Sequence, residues 1–540
     1  MAGARAALRR ALVVLAPLAV VGPVAAGLIA TTTVAAGLLP ALNRSAPSFE
    51  AWSALLEWPG LAASVALTLR IAVVSTAASL ATALLLTPWL ERHRRAAAPL
   101  LLSLLATPHA ALAVGVSALI ASSGLFTRLL APLAGWQVPP DVVTARDPLG
   151  LAVMLALVLK EAAFLLLVAR AALPRLDVAG TLRVAGSLGH GPARAWALTV
   201  HPQLWVSLKL PVMAVLAFSL GSADVPLVLG PLTPPPLAVE VARWSVDPDL
   251  ARLLPAAAAS MVLVAMSVIG VLAIHVAGRA AGTAIRTFAA AGPAPGGNGR
   301  MMALAVAGPL SAIAAGALAT LPLWAGAASW RFPDLVPTGW TSTLLRTRLS
   351  GLFDPAVATV GVGLAATALA LLLAVVRLAT GAGASRLALF VLLLPQPAML
   401  FGAQVLLVRL GIDGTMGAVL MLHLVYVLPY VLLALAGPWR AVDARYARAA
   451  AALGAGPLRT LLRVTLPLRA TPLLAAAAIG FSVSCGLYLP TVFAGGGRIE
   501  TLATRTVALG LGADRRLAAA AGLAAAALPL LAFASAWRRR

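Results

Sequence analysis

Lys160 and Glu161 stand side by side at the centre of the apolar run 149–171, and Asp224 stands in a second run, 204–229. Ionisable groups inside such stretches are expensive in hydrocarbon and mark either a polar path or a buried pair. Both readings are open. In one, Glu161 or Asp224 lines a solute path, where a carboxylate favours a cation. In the other, Lys160 pairs with Asp224 between helices and Glu161 faces a junction between two halves of the chain. Adjacent helical positions point in different directions, so Lys160 and Glu161 need not pair with each other. Pro226, two residues beyond Asp224, is expected to break the helix. The later positions that match 160 and 161 are Val425 and Tyr426, so the charge is confined to one half. Tyr426 and Tyr430, with Pro429 kinking their span, either face the same path or pack as ordinary core.

Other chemistries find no support. His109, His201 and His423 are scattered without metal-ligand spacing, and no metal site is expected. His201 reads as a loop residue. The single Cys485 excludes an intramolecular disulfide and reads as a small packing residue. No nucleophile and base stand at a usable spacing, and no phosphate-cradling G-x-x-x-x-G-K-[ST] loop occurs. The chain is therefore not expected to be an enzyme, to hold a cofactor or to hydrolyse ATP itself.

The strongest pattern is a repeat. Residues 183–202 read RVAGSLGHGPARAWALTVHP, and residues 448–467 read RAAAALGAGPLRTLLRVTLP. The two align without a gap at Arg183/Arg448, Ala185/Ala450, Leu188/Leu453, Gly189/Gly454, Gly191/Gly456, Pro192/Pro457, Arg194/Arg459 and Pro202/Pro467. Repetition at this period implies two copies of one unit. Each copy predicts two short helices separated by the Gly-x-Gly-Pro break, with the glycine expected to allow close helix packing. A compact protrusion of this kind suits a partner's groove, helix-in-groove fashion; a connector that merely turns the chain is the plainer alternative.

What positions these groups is a membrane. Of the 540 residues, 61% are hydrophobic and 11% charged, with a mean hydropathy of +0.97. A hydrocarbon core takes about 20 apolar residues per helix. Twelve stretches qualify: 11–36, 62–88, 97–121, 149–171, 204–229, 251–276, 302–326, 355–376, 387–409, 414–436, 470–493 and 513–536. The fold class expected is an all-α integral membrane protein of two tandem six-helix repeats in parallel orientation. The first repeat covers 1–290 (core 62–276), the linker 291–300, and the second repeat 301–540 (core 355–536). The net charge of +23 follows the loops: with the N-terminus inside, 24 of the 40 Lys and Arg fall on cytoplasmic segments, against 13 outside. That is the positive-inside bias, which places both repeated loops and both termini in the cytoplasm. Nucleic acid is not an expected partner, since no basic patch is interleaved with aromatics. The first stretch is too long for a signal peptide and reads as a retained helix. Phe49, Trp52 and Trp58, and later Trp330, Phe332 and Trp340, read as interface anchors.

The repeated segment resembles the EAA loop of the membrane subunits of bacterial ABC importers, in which a Pro follows the glycine by thirteen residues, as Pro202 follows Gly189 and Pro467 follows Gly454. Two such units in one chain look like the fused two-domain permeases of thiamine-type and ferric-iron-type importers. The resemblance implies a permease subunit of the bacterial inner membrane, moving a small solute by alternating access. It implies docking of both loops into two copies of a cytoplasmic ABC ATPase, which binds the ATP, and a periplasmic substrate-binding protein as a further partner beside membrane lipid. The loop residues it marks are Arg183, Ala185, Leu188, Gly189 and Pro202, and Arg448, Ala450, Leu453, Gly454 and Pro467. The sequence departs from the family at the leading Glu, which is Arg183 in one copy and Arg448 in the other, so a salt bridge there would be reversed in sign. A twelve-helix secondary transporter driven by an ion gradient is the alternative, but it has no need of a groove-filling loop.

Overall fold

The computed structural model describes residues 2–290, 292, 299–381 and 390–537, with side chains described from residue 17 onward except at 92, 94, 342–345 and 537. The linker positions 293–298, the basic residues Arg5, Arg9, Arg10, Arg92 and Arg94 at side-chain level, and Arg538, Arg539 and Arg540 lie outside that set. Hydrocarbon satisfies no backbone polar group, so apolar runs of this length close their own hydrogen bonds as helices. Among the described residues, eleven helices are long and apolar enough to cross a membrane. The remaining expected stretch, the ninth (387–409), begins outside the described residues.

The first series is α1 (Ala2–Ala35), α2 (Glu50–Leu56), α3 (Leu61–Ala106), α4 (His109–Ile120), α5 (Leu125–Ala134), α6 (Leu151–Ala172), α7 (Val178–Ser187), α8 (Pro192–Ala195), α9 (His201–Gly221), α10 (Asp224–Leu229), α11 (Leu237–Trp244) and α12 (Leu253–Ala290). The order then returns as α13 (Arg300–Gly326), α14 (Ser342–Ser350), α15 (Phe353–Ala379), α16 (Gln396–Arg409), α17 (Met416–Ala441), α18 (Arg445–Ala452), α19 (Pro457–Thr460), α20 (Ala470–Cys485), α21 (Leu489–Gly495), α22 (Leu502–Leu511) and α23 (Arg515–Trp537). Among the described residues the second series has no equivalent of α5. It carries instead a short antiparallel pair, β1 (Ala327–Ser329) and β2 (Gly339–Trp340), after its first helix.

Three expected spans are broken rather than continuous. The third stops at Thr107 and resumes after Pro108, whose ring cannot continue the helix. The fifth breaks at Ser222, before Asp224, and not at Pro226. Pro226 lies in the first turn of α10, where its missing N–H costs nothing. The eleventh breaks at the matching place, between Cys485 and Leu489. The expected kink at Pro429 is no interruption, since α17 runs through it as one helix.

The two series interlock by exchange of their first helices. α1 lies along α16 and α13 lies along α4, so each leading helix packs on the other series. The crossings are made by small residues: a side chain at Gly402 would collide with Gly27 O and Thr31, and one at Gly115 with Ala317 O. At each crossing a buried threonine hydroxyl donates across the seam, Thr31 to Ala398 O (2.7 Å) and Thr320 to Gly115 O (3.0 Å). Small residues plus one interhelical hydrogen bond are what holds helices together where lipid removes the hydrophobic drive. Within each series a second hydroxyl repeats its role. Thr68 Oγ1 accepts the Leu237 N–H (2.9 Å), and Thr359 Oγ1 accepts the Leu502 N–H (2.8 Å), capping α11 and α22 from the neighbouring long helix.

Candidate functional sites: the paired loops and the charged centre

The two repeated segments fold alike down to individual hydrogen bonds. α7 ends with Gly189 in the left-handed region (φ 82°), and α18 ends with Gly454 there (φ 79°). In the first copy Gly189 N–H donates to Gly186 O (3.0 Å) and His190 N–H to Ala185 O (3.1 Å); in the second, Gly454 N–H donates to Ala451 O and Ala455 N–H to Ala450 O (both 3.0 Å). This is the Schellman C-cap, which needs a residue without a Cβ at the left-handed position. The expected reason for the glycine, close packing, is corrected at Gly454: nothing lies within 4 Å of a Cβ placed there, and the left-handed backbone is what requires it.

After the cap, Gly191-Pro192 and Gly456-Pro457 start α8 and α19, each followed by one π-helical turn, Trp196–Val200 and Leu461–Thr465. In the first copy the second short helix thus runs on into α9, whereas in the second a 3-10 turn, Pro467–Arg469, with Arg469 off helical geometry (φ −113°, ψ 15°), separates the π-turn from α20. The wide turn has a local cause. Pro202 and Pro467 have no N–H and crowd the carbonyl four residues back, so the preceding turn opens to i→i−5 bonds, His201 N–H to Trp196 O and Leu466 N–H to Leu461 O. Leu188 (61% exposed) and Leu453 (89% exposed) project from the two caps, and Arg183 and Arg448 are exposed beside them. An apolar side chain held on a rigid cap with nothing over it is what a groove on a partner would take.

The loops differ in how they are held. In the first, Ala185, Ala195 and Val200 are buried, and Arg194 donates to Phe288 O (2.8 Å) and Gly292 O (3.1 Å) at the end of α12. In the second, no residue of α18 is buried and Arg459 is exposed; the anchor lies lower, where Arg469 donates to Trp439 O (3.0 and 3.2 Å) with its guanidinium 4.6 Å from the Trp439 ring.

Lys160, Glu161 and Asp224 are all buried, at 8%, 7% and 6% exposure. The Lys160–Asp224 ion pair considered from the sequence does not form. Lys160 Nζ donates to Leu104 O (3.0 Å), Leu105 O (3.1 Å) and Thr107 O, the carbonyls freed where α3 ends at the Pro108 break. A cation there satisfies groups that hydrocarbon would leave bare, and it meets the negative end of the helix dipole. Glu161 Oε1 bonds His109 Nε2 at 3.0 Å, a partner the sequence reading passed over because it lies 52 residues away. His109 opens α4 just past the same break and packs its ring 4.5 Å from that of Phe218. Asp224 accepts from Ser222 Oγ (2.9 Å) at the break between α9 and α10.

The second series meets this charge with aromatic rings. Glu161 lies within electrostatic reach of Tyr430, and Asp224 within reach of Tyr488. Tyr426 is buried on α17, one turn before Tyr430. At the matching depth the second series carries a neutral network: His423 bonds Ser484 Oγ (2.8 Å) and Thr491 Oγ1 (3.0 Å), tying α17, α20 and α21 together across the Cys485–Leu489 break. Cys485 is buried as expected, and His201 opens α9 with its ring 5.9 Å from that of Trp196. Among the described residues no three His, Cys, Asp or Glu side chains gather as a metal site.

An almost wholly helical integral membrane protein whose element order runs twice, with one exposed capped loop per series, is the class this architecture defines. The chain belongs to the inner-membrane ABC transporter permeases. It is 30% identical over 511 residues, 92% of its own length and 93% of the relative's, to the inner membrane ABC transporter permease protein YnjC of Escherichia coli (strain K12). No family model matches the chain. It is thus a multi-pass inner-membrane subunit that works with ATPase subunits.

Proposed function

We propose that this permease is an importer subunit in which two fused repeats, 1–290 and 301–540, move a small solute by alternating access. In this reading it works as the fused two-domain permeases of thiamine-type and ferric-iron-type importers do. The observation that carries the reading is the pair of identically capped loops, each ending in an exposed leucine. In this reading 183–202 and 448–467 each dock into one of two copies of a cytoplasmic ATPase, and both termini are cytoplasmic. A periplasmic binding protein delivers the solute at the far end. Nucleotide-driven closure of the ATPases pulls the loops together, and α9 and α20, the spans that follow the two loops, carry that motion to the broken helices. Glu161 and Asp224 from the first repeat, facing Tyr426 and Tyr430 of the second, line the path.

The test is joint purification with the cognate ATPase from membranes. Replacing both Leu188 and Leu453 by Asp should leave a folded, inserted protein that no longer retains the ATPase. Undiminished retention would remove the docking role. A reporter fused after Arg540 checks orientation independently, since a periplasmic signal there would place both loops on the wrong side.

A further inference from the structure

We infer that the seam between α9 and α12 binds the phosphate group of an anionic phospholipid through Lys209, His275 and Arg279. Lys209 Nζ lies 2.5 Å from His275 Nδ1, and Arg279 follows His275 by one helical turn on the same face. The charges acting on His275 are those of Lys209 and Arg279, both positive. No ion pair among the described residues involves any of the three. The ammonium donates to Nδ1, so the imidazole carries its proton on Nε2 and offers a further donor. Three donors therefore converge where the protein supplies no anion.

The surroundings say which anion. Val206 (82% exposed), Leu272 and Val276 project around the cluster, so this face looks outward into lipid, where isolated cations are costly. His275 lies 22 residues beyond Leu253, about 33 Å along α12 at 1.5 Å per residue, one hydrocarbon thickness from the far end. The cluster therefore sits at headgroup depth, on the side of the membrane that carries the repeated loops. Trp205, one turn before Lys209, packs its indole on Gly278, as an amphipathic ring does at the headgroup level. Lipid phosphate is the anion present at that depth at high local concentration. The site belongs to the first series alone: Ala470 and Leu474 occupy the positions of Trp205 and Lys209 in the second.

The experiment is native mass spectrometry of the full-length protein released from mixed micelles of phosphatidylglycerol and phosphatidylcholine. Phosphatidylglycerol should be retained in preference, and Lys209→Gln with Arg279→Gln should lower its retention about tenfold, the effect of one or two charge-assisted contacts. Arg252→Gln, at the opposite end of α12, should change nothing. Equal retention by the double variant, or an equal loss with Arg252→Gln, overturns the site. Release of the lipid by millimolar inorganic phosphate also overturns it, because the seam would then be a site for soluble anion. Lys209 and Arg279 lie on the outward face, so thermal unfolding of the variant should match the parent; if the double variant fails to fold, Arg279→Gln alone carries the same test.

Discussion

The two loops share a backbone and differ in their foundations. The first rests on buried alanines and is tied by Arg194 to the end of α12, whereas the second stands on Arg469 and Trp439 with α18 uncovered above them. The two membrane centres differ in the same spirit. Lys160, Glu161 and Asp224 make the first charged, and His423, Ser484 and Thr491 make the second neutral. The repeated backbone preserves one shape, while the surrounding side chains decide how firmly each copy is held. On this view the first series is the stiff, charged side and the second the compliant one.

The widest separation between them should come from the centres. Lys160→Met leaves three carbonyls without a donor at bilayer depth and should lower stability by about 3 kcal/mol, read as thermal unfolding of the purified protein. His423→Leu removes two neutral hydrogen bonds and should cost about 1–2 kcal/mol. Equal losses would erase the contrast. Adding Asp224→Asn to Lys160→Met should bring no rescue, because the two do not pair; restored stability would reinstate the ion pair excluded here.

A smaller effect separates the caps. A Cβ in the left-handed region costs about 1 kcal/mol. Gly189→Ala should lower global stability by that amount, since the first loop cannot relax away from its buried contacts. Gly454→Ala should leave global stability unchanged and show instead as faster amide exchange across 445–456, because α18 can fray alone. The reverse pattern would show that the second loop is the stiffer one. Arg194→Gln should raise exchange in the first loop toward the level of the second, and no change would mean that the buried alanines suffice. The smallest expected effect is that of Arg183→Glu with Arg448→Glu. Both side chains are exposed, so stability should be unaltered while ATPase retention falls; unaltered retention would leave these arginines facing solvent.

The sequence disclosed what depends on local pattern: apolar length, the paired loops with their Gly-x-Gly-Pro break, and the asymmetry of charge; the left-handed backbone at Gly189 and Gly454 it did not disclose. It concealed what depends on partners distant in the chain. Lys160 caps carbonyls at 104–107, and no spacing rule links a lysine to a helix end 53 residues earlier. His109 looked isolated for the same reason. The exchange of α1 and α13 leaves no trace in hydropathy, because a helix that packs on its own series and one that packs on the other are equally apolar. The Thr68 and Thr359 caps were hidden because a threonine within an apolar run reads as filler until the N–H it receives is known. The break at Ser222 was misplaced because Pro226 looks like an interruption, whereas in the first turn of α10 it is an initiator.

The exchanged leading helices have a consequence for how the protein is made. Thr31 and the carbonyl it bonds, Ala398 O, are 367 residues apart. At 5–20 residues per second of synthesis, α1 emerges about 20–70 s before its resting place exists. During that interval its Gly27 face is open to lipid, or to any insertion factor that recognises small residues. The first helix to be born thus waits for a partner made much later, and the ribosome's pace, rather than the finished contacts, sets how long that face must be shielded.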